Sequence, residues 1–185
     1  MKNSLIIKKG SKLMDYNFFS IISSKLEDNK IKSICLLKDK QWKFGIKSQI
    51  EWYRKNIKKN DIHNLFYIKS KLVGYTLLRR RTCEIRGLNK RTNYLLFDTL
   101  IIDKKYRGKY LSNLLMNFNN LIIKQSGYFS FLICNKELVN FYKKHNWIKF
   151  KNENINIVDH SFSTNGMIFN AKQIYKKKYY FYIKK

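Results

Sequence analysis

Residues 101 to 116 read IIDKKYRGKYLSNLLM. An apolar strand pattern ends here in a short basic turn, and an amphipathic helix pattern begins directly after it. The turn holds a single glycine, Gly108, between Arg107 and Lys109. A strand that leads straight into a helix leaves unpaired backbone N–H groups at the positive end of the helix dipole, where phosphate binds. The stretch therefore predicts either a phosphate-binding turn or an ordinary basic connection.

The segments on both sides of this turn have clear strand and helix patterns. Residues 93–103, NYLLFDTLIID, form a long and mostly apolar run that predicts a strand. Apolar side chains recur at helical spacing after the turn, which predicts an amphipathic helix that ends at Gly127. The later predicted elements are a strand at 128–134, a short helix at 135–146, and strands at 147–150 and 166–170.

The N-terminal half is predicted to contain helices followed by an antiparallel hairpin. The predicted elements are a helix at 16–28, a strand at 31–37, a helix at 49–59, and hairpin strands at 65–70 and 72–81. No linker or internal repeat divides the chain. We therefore predict a single domain over residues 1–185 with a mixed α/β fold.

The composition excludes a disordered chain and favours anionic partners. Hydrophobic residues make up 44% and aromatic residues 16%, enough for a real core. The net charge of +27 attracts nucleic acid, acidic lipid, acidic protein or phosphorylated small molecules. No apolar run reaches the roughly 18 residues that span a bilayer, and the apolar stretch near the start is too short for a secretory signal. Three isolated cysteines without CxxC spacing favour reduced thiols, so we expect a cytoplasmic protein without a metal cofactor.

A second pattern lies downstream, in ICNKELVNFYKKHNW at 133–147. A strand pattern ends at Cys134, and Asn135 stands where a helix N-cap is expected. Tyr142 follows about two helical turns later, which predicts that it lies near the same helix face as Asn135. By itself, Tyr142 is interpreted either as a site residue or as part of the core.

Together, LLFDTLIIDKKYRGKYLSNLLMNF (95–118) and NKELVNFYKKHNWIKF (135–150) resemble the Gcn5-related N-acetyltransferase (GNAT) family. The resemblance covers roughly residues 60–150 in the order and spacing of elements, and the predicted hairpin supports it. In that family, a turn of the form Arg/Gln-x-x-Gly-x-Gly/Ala binds the pyrophosphate of acetyl-CoA through its amides. A later Asn begins a helix, and a Tyr in that helix lies beside the thioester.

The turn in this chain departs from the family pattern at two positions. Arg107 matches the first position, but Tyr110 stands where the middle glycine is expected and Ser112 where the last Gly or Ala is expected. We expect the Tyr110 amide to donate to phosphate if its φ is negative and helical, with the ring pointing away from the ligand.

The resemblance implies a fold, a reaction and a set of site residues. The implied fold is a mixed, mostly antiparallel central sheet flanked by helices, and the reaction is acetyl transfer from acetyl-CoA to a primary amine. Tyr142 would donate its proton to the departing sulfur. The residues implied in binding acetyl-CoA are Leu100, Ile102, Arg107, Gly108, Lys109, Tyr110, Leu111, Ser112 and Asn135.

Asp98 is the candidate catalytic base. It interrupts an apolar strand, and its spacing from Leu100 and Ile102 places all three on one strand face. Burial would raise the pKa of its carboxyl towards a useful range. The alternative is a structural carboxylate bonded to a neighbouring amide or lysine.

The acceptor side is less defined by the sequence. His63 in NDIHN and His160 in VDHSF are candidates to line an acceptor pocket, although loop histidines are usually solvated. The acceptor predicted by the resemblance is an amino sugar, a sugar nucleotide or another small amine. An anionic amine suits the positive surface best.

Basic runs leave a second functional class open. RRR at 79–81 and KKK at 176–178 are interpreted as solvated faces or as anion-steering groups. The tail YKKKYYFYIKK interleaves cations with aromatics, which suits a last strand or an arm that binds single strands. The alternatives are therefore a noncatalytic RNA- or DNA-binding module, or an acetyltransferase that acts on RNA or on a ribosomal protein.

Overall fold

A computed structural model describes residues 2–9, 12–87, 91–158, 165–171 and 178–184, with the backbone alone at 2–9, 12–14 and 152. The described helices are α1 Asp28–Trp42, α2 Ile46–Asn56, α3 Leu111–Ser126 and α4 Val139–Lys143. The described strands are β1 Lys2–Lys9, β2 Lys12–Ile22, β3 Ile62–Ile68, β4 Lys71–Ile85, β5 Arg91–Ile102, β6 Ser130–Cys134, β7 Ile148–Lys149, β8 Ile155–Ile157, β9 Asn165–Phe169 and β10 Tyr179–Phe181.

The chain divides into two compact units. The first unit comprises Met1–Leu78 and Thr99–Asn119, and the second comprises Arg79–Asp98 and Asn120–Lys185. Strands β4 and β5 and helix α3 each contribute residues to both units. The assignment of 1–185 as one acyltransferase domain stays a prediction.

In the first unit, the strand order is β1-β2-β3-β4-β5. The first four strands pair antiparallel, with Tyr16 opposite Ile68 and Ile62 opposite Leu78. The Asp103 N–H donates to the Val73 carbonyl at 2.8 Å, at the end of β5. Helices α1 and α2 cover one face, where the core includes Ile34, Cys35, Leu37, Tyr53, Leu65, Tyr75, Leu77 and Ile101.

In the second unit, the order is β4-β5-β6-β9-β7, and β10 lies between β4 and β8. Strands β5 and β6 are parallel, as are β8 and β10, while the β6–β9, β7–β9 and β4–β10 pairs are antiparallel. The core contains Phe131 stacked on Phe181 at 3.9 Å between ring centroids. A mixed, mostly antiparallel sheet flanked by helices is therefore confirmed.

The predicted helix at 16–28 is wrong, because β2 continues to Ile22. Tyr16 and Phe18 are buried while Asn17 and Phe19 are less buried, which is the alternation of a strand. Aromatic side chains suit such a half-buried pleated surface.

The predicted strand at 31–37 is also wrong, since these residues lie inside α1. The buried positions Ile34, Cys35, Leu37 and Lys38 follow helical spacing. A short apolar run does not distinguish a buried strand from one face of a helix.

The remaining predicted elements are present, with shifted ends. The hairpin connection lies at Lys69 and Ser70, one residue earlier than expected, and Lys69 adopts a φ of +56°. Gly127 follows α3 with a φ of +73°. The part of the C-terminal tail that the structure describes contains strand β10, so it is not a free arm.

Candidate functional site

The turn after β5 is held by a buried carboxylate. The Asp103 side chain is 5% exposed, and its Oδ1 accepts from the Lys105 N–H at 3.1 Å. Its Oδ2 accepts from the Lys40 ammonium at 3.1 Å. Burial alone would raise the pKa of Asp103, but the Lys105 N–H and Lys40 outweigh burial and lower it. Asp103 is therefore an anionic anchor that ties the turn to the end of α1.

The turn presents a row of backbone donors. After a 3-10 helix at Lys104–Tyr106, Gly108 and Tyr110 adopt φ values of +74° and +57°. Within the described part of the chain, the N–H groups of residues 108–112 find no acceptor. They stand at the N-terminus of the 16-residue helix α3, where the helix dipole is positive. This arrangement has the chemistry of a phosphate site.

Tyr110 departs from the conformation expected for it. Its φ of +57° is left-handed, so the expectation of a negative helical φ is wrong. A non-glycine residue there costs roughly 1–2 kcal/mol relative to a right-handed conformation. The residue is 77% exposed, so its ring lies largely in solvent. The backbone thus takes a path that glycine would take easily, although the residue is tyrosine.

Arg107 ties the turn to strand β5 and to helix α1. Its Nε donates to the Ile102 carbonyl at 3.0 Å, and a terminal guanidinium nitrogen donates to the Gln41 side chain. Lys40 and Gln41 at the end of α1 therefore each contact this turn. Sequence reasoning missed both residues, because no local pattern reveals a contact between segments more than 60 positions apart.

Strand β5 continues beyond its described pairs with β6. Those pairs are Leu95 with Ser130 and Leu96 with Phe131. Leu100 and Ile102 lie farther along β5, where the resemblance places backbone contacts with pantetheine. Leu111 is 3% exposed and packs inward at the start of α3, while Ser112 is partly exposed.

Tyr142 lies in α4 of the second unit and is 7% exposed. Its ring centroid is 6.2 Å from Phe97 and 6.1 Å from Trp147. Burial raises the pKa of its phenol, with a smaller contribution from Cys134. The phenol is thus protonated at neutral pH, and no described residue hydrogen bonds to its oxygen.

Asn135 is exposed and precedes a 3-10 helix at Lys136–Leu138 rather than an α-helix. Asn135 occupies the N-cap position of this 3-10 helix, as predicted, but among the described residues its side chain makes no capping hydrogen bond. The two-turn spacing that related it to Tyr142 assumed a continuous α-helix, which α4 does not provide. The side-chain amide of Asn135 is therefore available for other contacts.

Asp98 is not the buried carboxylate that the sequence predicted. Its side chain is 27% exposed, and Oδ2 pairs with an Arg79 guanidinium nitrogen at 3.0 Å. Arg79 is 7% exposed, so it is the buried partner of the pair. The position is explained by charge pairing, and the role of Asp98 as a base stays a prediction.

His63 is not a loop residue lining an acceptor pocket. It lies in β3 with no exposed surface. Its Nδ1 is 2.8 Å from the Tyr75 hydroxyl and its Nε2 is 2.8 Å from the Ser23 hydroxyl. The ring has no exposed surface, so the structure gives no support to its predicted role in binding substrate, which stays a prediction. His160 lies outside the described residues.

The arginine run at 79–81 is not a solvated face. Arg81 is 1% exposed and donates to the carbonyls of Arg80 and Ile183, while Arg80 contacts the Tyr128 hydroxyl. In the tail, Tyr179 and Phe181 are 1% and 0% exposed. Their rings pack in the core and cannot stack on bases, so these two residues lend no support to nucleic-acid binding. Residues 172–177, with Lys176 and Lys177 of the KKK run, lie outside the described residues.

The described residues offer neither a metal centre nor a membrane-spanning helix. They contain no group of three or more His, Cys, Asp or Glu side chains that could hold a metal ion. No helix among them combines the length and apolar character needed to cross a membrane.

No protein-family model matches the chain, and no curated protein matches it. Solved structures do match. An acyl-CoA N-acyltransferase from Pseudomonas aeruginosa is similar with a TM-score of 0.60 and 10% identity, over 83% of this chain and 98% of that chain. A GNAT-family acetyltransferase from Staphylococcus aureus has a TM-score of 0.56 and 13% identity, over 84% and 99%. The Bacillus subtilis N-acetyltransferase YlbP, solved with coenzyme A, has a TM-score of 0.54 and 15% identity, over 83% and 95%.

These identities are low, so the similarity concerns the fold. The chain has the fold of the GNAT superfamily.

Proposed function

We propose that this protein is an acetyl-CoA-dependent N-acetyltransferase that moves an acetyl group to a primary amine. The observation that carries the proposal is the donor row at residues 108–112, at the N-terminus of α3. A fold that is shared with acetyltransferases supports it.

The turn has the features that a pyrophosphate needs. Backbone N–H groups supply directed donors, and the helix dipole adds positive potential. Gly108 has no heavy atom within 4 Å of the place where a Cβ would stand, so space there is open. Arg107 and Lys109 are exposed beside it and supply cationic charge. We assign the pyrophosphate of acetyl-CoA to this turn, and its pantetheine arm to backbone groups of Leu100 and Ile102.

The proposed reaction is direct transfer. The amine nitrogen forms a bond to the acetyl carbon while the carbon–sulfur bond breaks. The nitrogen loses a proton, and the thiolate gains one from Tyr142. A phenol with a raised pKa keeps its proton until negative charge develops nearby. Tyr142 therefore acts first as a hydrogen-bond donor to the departing sulfur.

Fewer observed contacts support the roles proposed for the acceptor side of the reaction than for the acetyl-CoA side. Asp98 is proposed as the base, either directly or through a water chain, and its pairing with Arg79 means that one oxygen is already engaged. The proposed acceptor is a small amine such as an amino sugar. One that carries phosphate, such as a sugar nucleotide, fits a net charge of +27 better than a polycationic amine does.

Titration calorimetry with coenzyme A tests the turn. Ser112→Asp puts an anion into the first turn of α3, which favours the helix dipole but repels phosphate. We expect this variant to melt at or above the wild-type temperature and to lose at least about tenfold in affinity, or roughly 1.4 kcal/mol. Ser48→Asp, in the first turn of α2, is the matched control and should bind as wild type does. Wild-type protein that does not bind coenzyme A would refute the proposal.

Tyr142→Phe tests the acid. We expect turnover of acetyl-CoA to fall by about 10²-fold or more while affinity for coenzyme A stays unchanged. Tyr179→Phe is the control, because Tyr179 is also a tyrosine of the second unit whose pKa is raised by burial. Full activity in Tyr142→Phe would show that another group protonates the sulfur.

A further inference from the structure

A rigid corner between α1 and α2 exposes two aromatic rings. The Lys43 N–H donates to the Asp39 carbonyl and the Gly45 N–H to the Asp39 carboxylate, both at 2.7 Å. Between these anchors, Phe44 is 69% exposed and Trp42 is 39% exposed. Most of the Phe44 ring lies outside the core, so it is exposed to solvent and open to contact.

A third exposed ring, Tyr110, lies close along the chain to a residue that contacts this corner. Gln41 of the corner hydrogen bonds to Arg107, and Tyr110 follows Arg107 by three residues. Three residues of chain reach about 10 Å. Phe44 is three residues from Gln41 and Tyr110 is three residues from Arg107, the two partners in this hydrogen bond. Both rings are more than two-thirds exposed. We call Trp42, Phe44, Tyr110 and the cations beside them the basic aromatic surface.

Cations separate and flank the rings. Lys43 stands between Trp42 and Phe44, and Lys109 precedes Tyr110. The exposed cations of the basic aromatic surface are Lys40, Lys43, Lys47, Arg107 and Lys109. Two carboxylates lie among them: Asp103 pairs with Lys40, and Asp39 accepts from the Gly45 N–H and keeps its charge, so the five cations still exceed the two anions. The surface therefore combines planar apolar rings with excess positive charge.

We propose that the basic aromatic surface binds a single-stranded polynucleotide. Bases stack on exposed aromatic rings while lysine and arginine side chains contact the phosphates, an arrangement that tolerates any sequence. A membrane surface fits less well, because each ring is adjacent in sequence to a lysine, and inserting the ring would draw that charge towards hydrocarbon. This binding activity does not depend on the acetyl-transfer proposal.

The test separates stacking from general attraction by a highly charged protein. A fluorescently labelled oligothymidylate of about twelve nucleotides is titrated with each variant, and anisotropy is measured at several salt concentrations. Phe44→Ala and Tyr110→Ala leave the net charge unchanged. We expect each to weaken binding by about tenfold, and Tyr110→Phe to retain wild-type affinity because it keeps a ring. Leu121→Ala removes a 41% exposed apolar side chain elsewhere and should bind as wild type does.

Several outcomes would overturn the proposal. Equal affinity in wild type, Phe44→Ala and Tyr110→Ala would reduce the binding to nonspecific attraction by the net charge. Loss of binding to anionic phospholipid vesicles in these variants, with oligonucleotide binding intact, would assign the surface to membranes. Adenosine diphosphate that binds as tightly as the oligonucleotide would reduce the surface to a contact with the adenosine of coenzyme A. Because calorimetry with coenzyme A is a separate measurement, failure of the acetyl-transfer proposal is distinguishable from failure here.

Discussion

Acid should destabilise this protein through His63. The ring is completely buried, and both of its nitrogens have hydroxyl partners at 2.8 Å. The Ser23 hydroxyl also donates to the Asp61 carbonyl at 3.1 Å, so its own proton is in use there. His63 therefore donates from Nε2 to Ser23 and accepts from Tyr75 at Nδ1. A neutral ring with its proton on Nε2 fits these contacts, whereas a doubly protonated ring would hold a charge that no solvent reaches.

The size of the effect follows from the pKa. Burial first, and the Lys38 ammonium second, lower the pKa of His63 from 6.5 to about 4. A folded-state pKa below the unfolded value means that the unfolded chain binds the proton more tightly. The stabilisation is thus complete above about pH 6.5 and is lost as the pH falls towards 4. At about 1.4 kcal/mol per pH unit, the loss approaches 3 kcal/mol of unfolding free energy.

Urea unfolding followed by tryptophan fluorescence between pH 7.5 and 4.5 measures this loss. His63→Gln keeps a donor and an acceptor for Ser23 and Tyr75 but does not titrate. The carboxylates contribute alike to both proteins and cancel in the difference. Wild type should lose about 2.5 kcal/mol more than His63→Gln across this window. A difference between the two proteins that stays constant from pH 7.5 to 4.5 would refute the reasoning.

Three further predictions concern backbone strain, a charge pair and packing. Tyr110→Gly should raise the unfolding free energy by up to about 1 kcal/mol, because glycine adopts a φ of +57° without strain. Thermal melts that compare this variant with Tyr110→Ala will check it. Asp98→Asn should lower stability by about 2 kcal/mol in urea unfolding, since the buried Arg79 loses its anion, and an unchanged midpoint would show that the pair is not stabilising. Gly166→Ala should cost about 2 kcal/mol, because the new Cβ would lie 2.3 Å from Ile155 Cδ1 and 2.9 Å from the Phe131 ring; a neutral effect would mean that both side chains move aside freely.

Local patterns were sufficient for the central part of the fold. The apolar run of β5, the periodic stripe of α3 and the glycine after it predicted a strand, a turn and a helix in the right places. These signals are strong because each depends on residues within one element. The predictions at 16–28 and 31–37 exchanged strand and helix, since short apolar segments fit either period. Their identity is decided by burial against β3 and α2, which a local pattern does not contain.

The environments of polar residues were the least predictable. Asp98 was interpreted as functional because a carboxylate in an apolar strand is unusual, and His63 because a histidine in NDIHN could line an acceptor pocket. Arg79 and Tyr75 explain them through contacts 19 and 12 positions away. Arg81 likewise lies inside the second unit among main-chain carbonyls. A polar residue in a strand indicates only that a partner is needed, and the tertiary structure determines which partner satisfies it.

Tyr110 belongs both to the turn proposed to bind acetyl-CoA and to the basic aromatic surface. If only the backbone mattered at this position, glycine would give the same left-handed path without the strain. Neither stability nor amide placement therefore accounts for a ring that is 77% exposed. Contact with a ligand would account for it, and the two proposals require different parts of the residue. The Tyr110→Gly variant separates them, because it keeps the amide path for coenzyme A and removes the ring from the polynucleotide. We expect this variant to be more stable, to bind coenzyme A within about threefold of wild type, and to bind oligothymidylate about tenfold more weakly. That result would assign the backbone to coenzyme A and the ring to the polynucleotide.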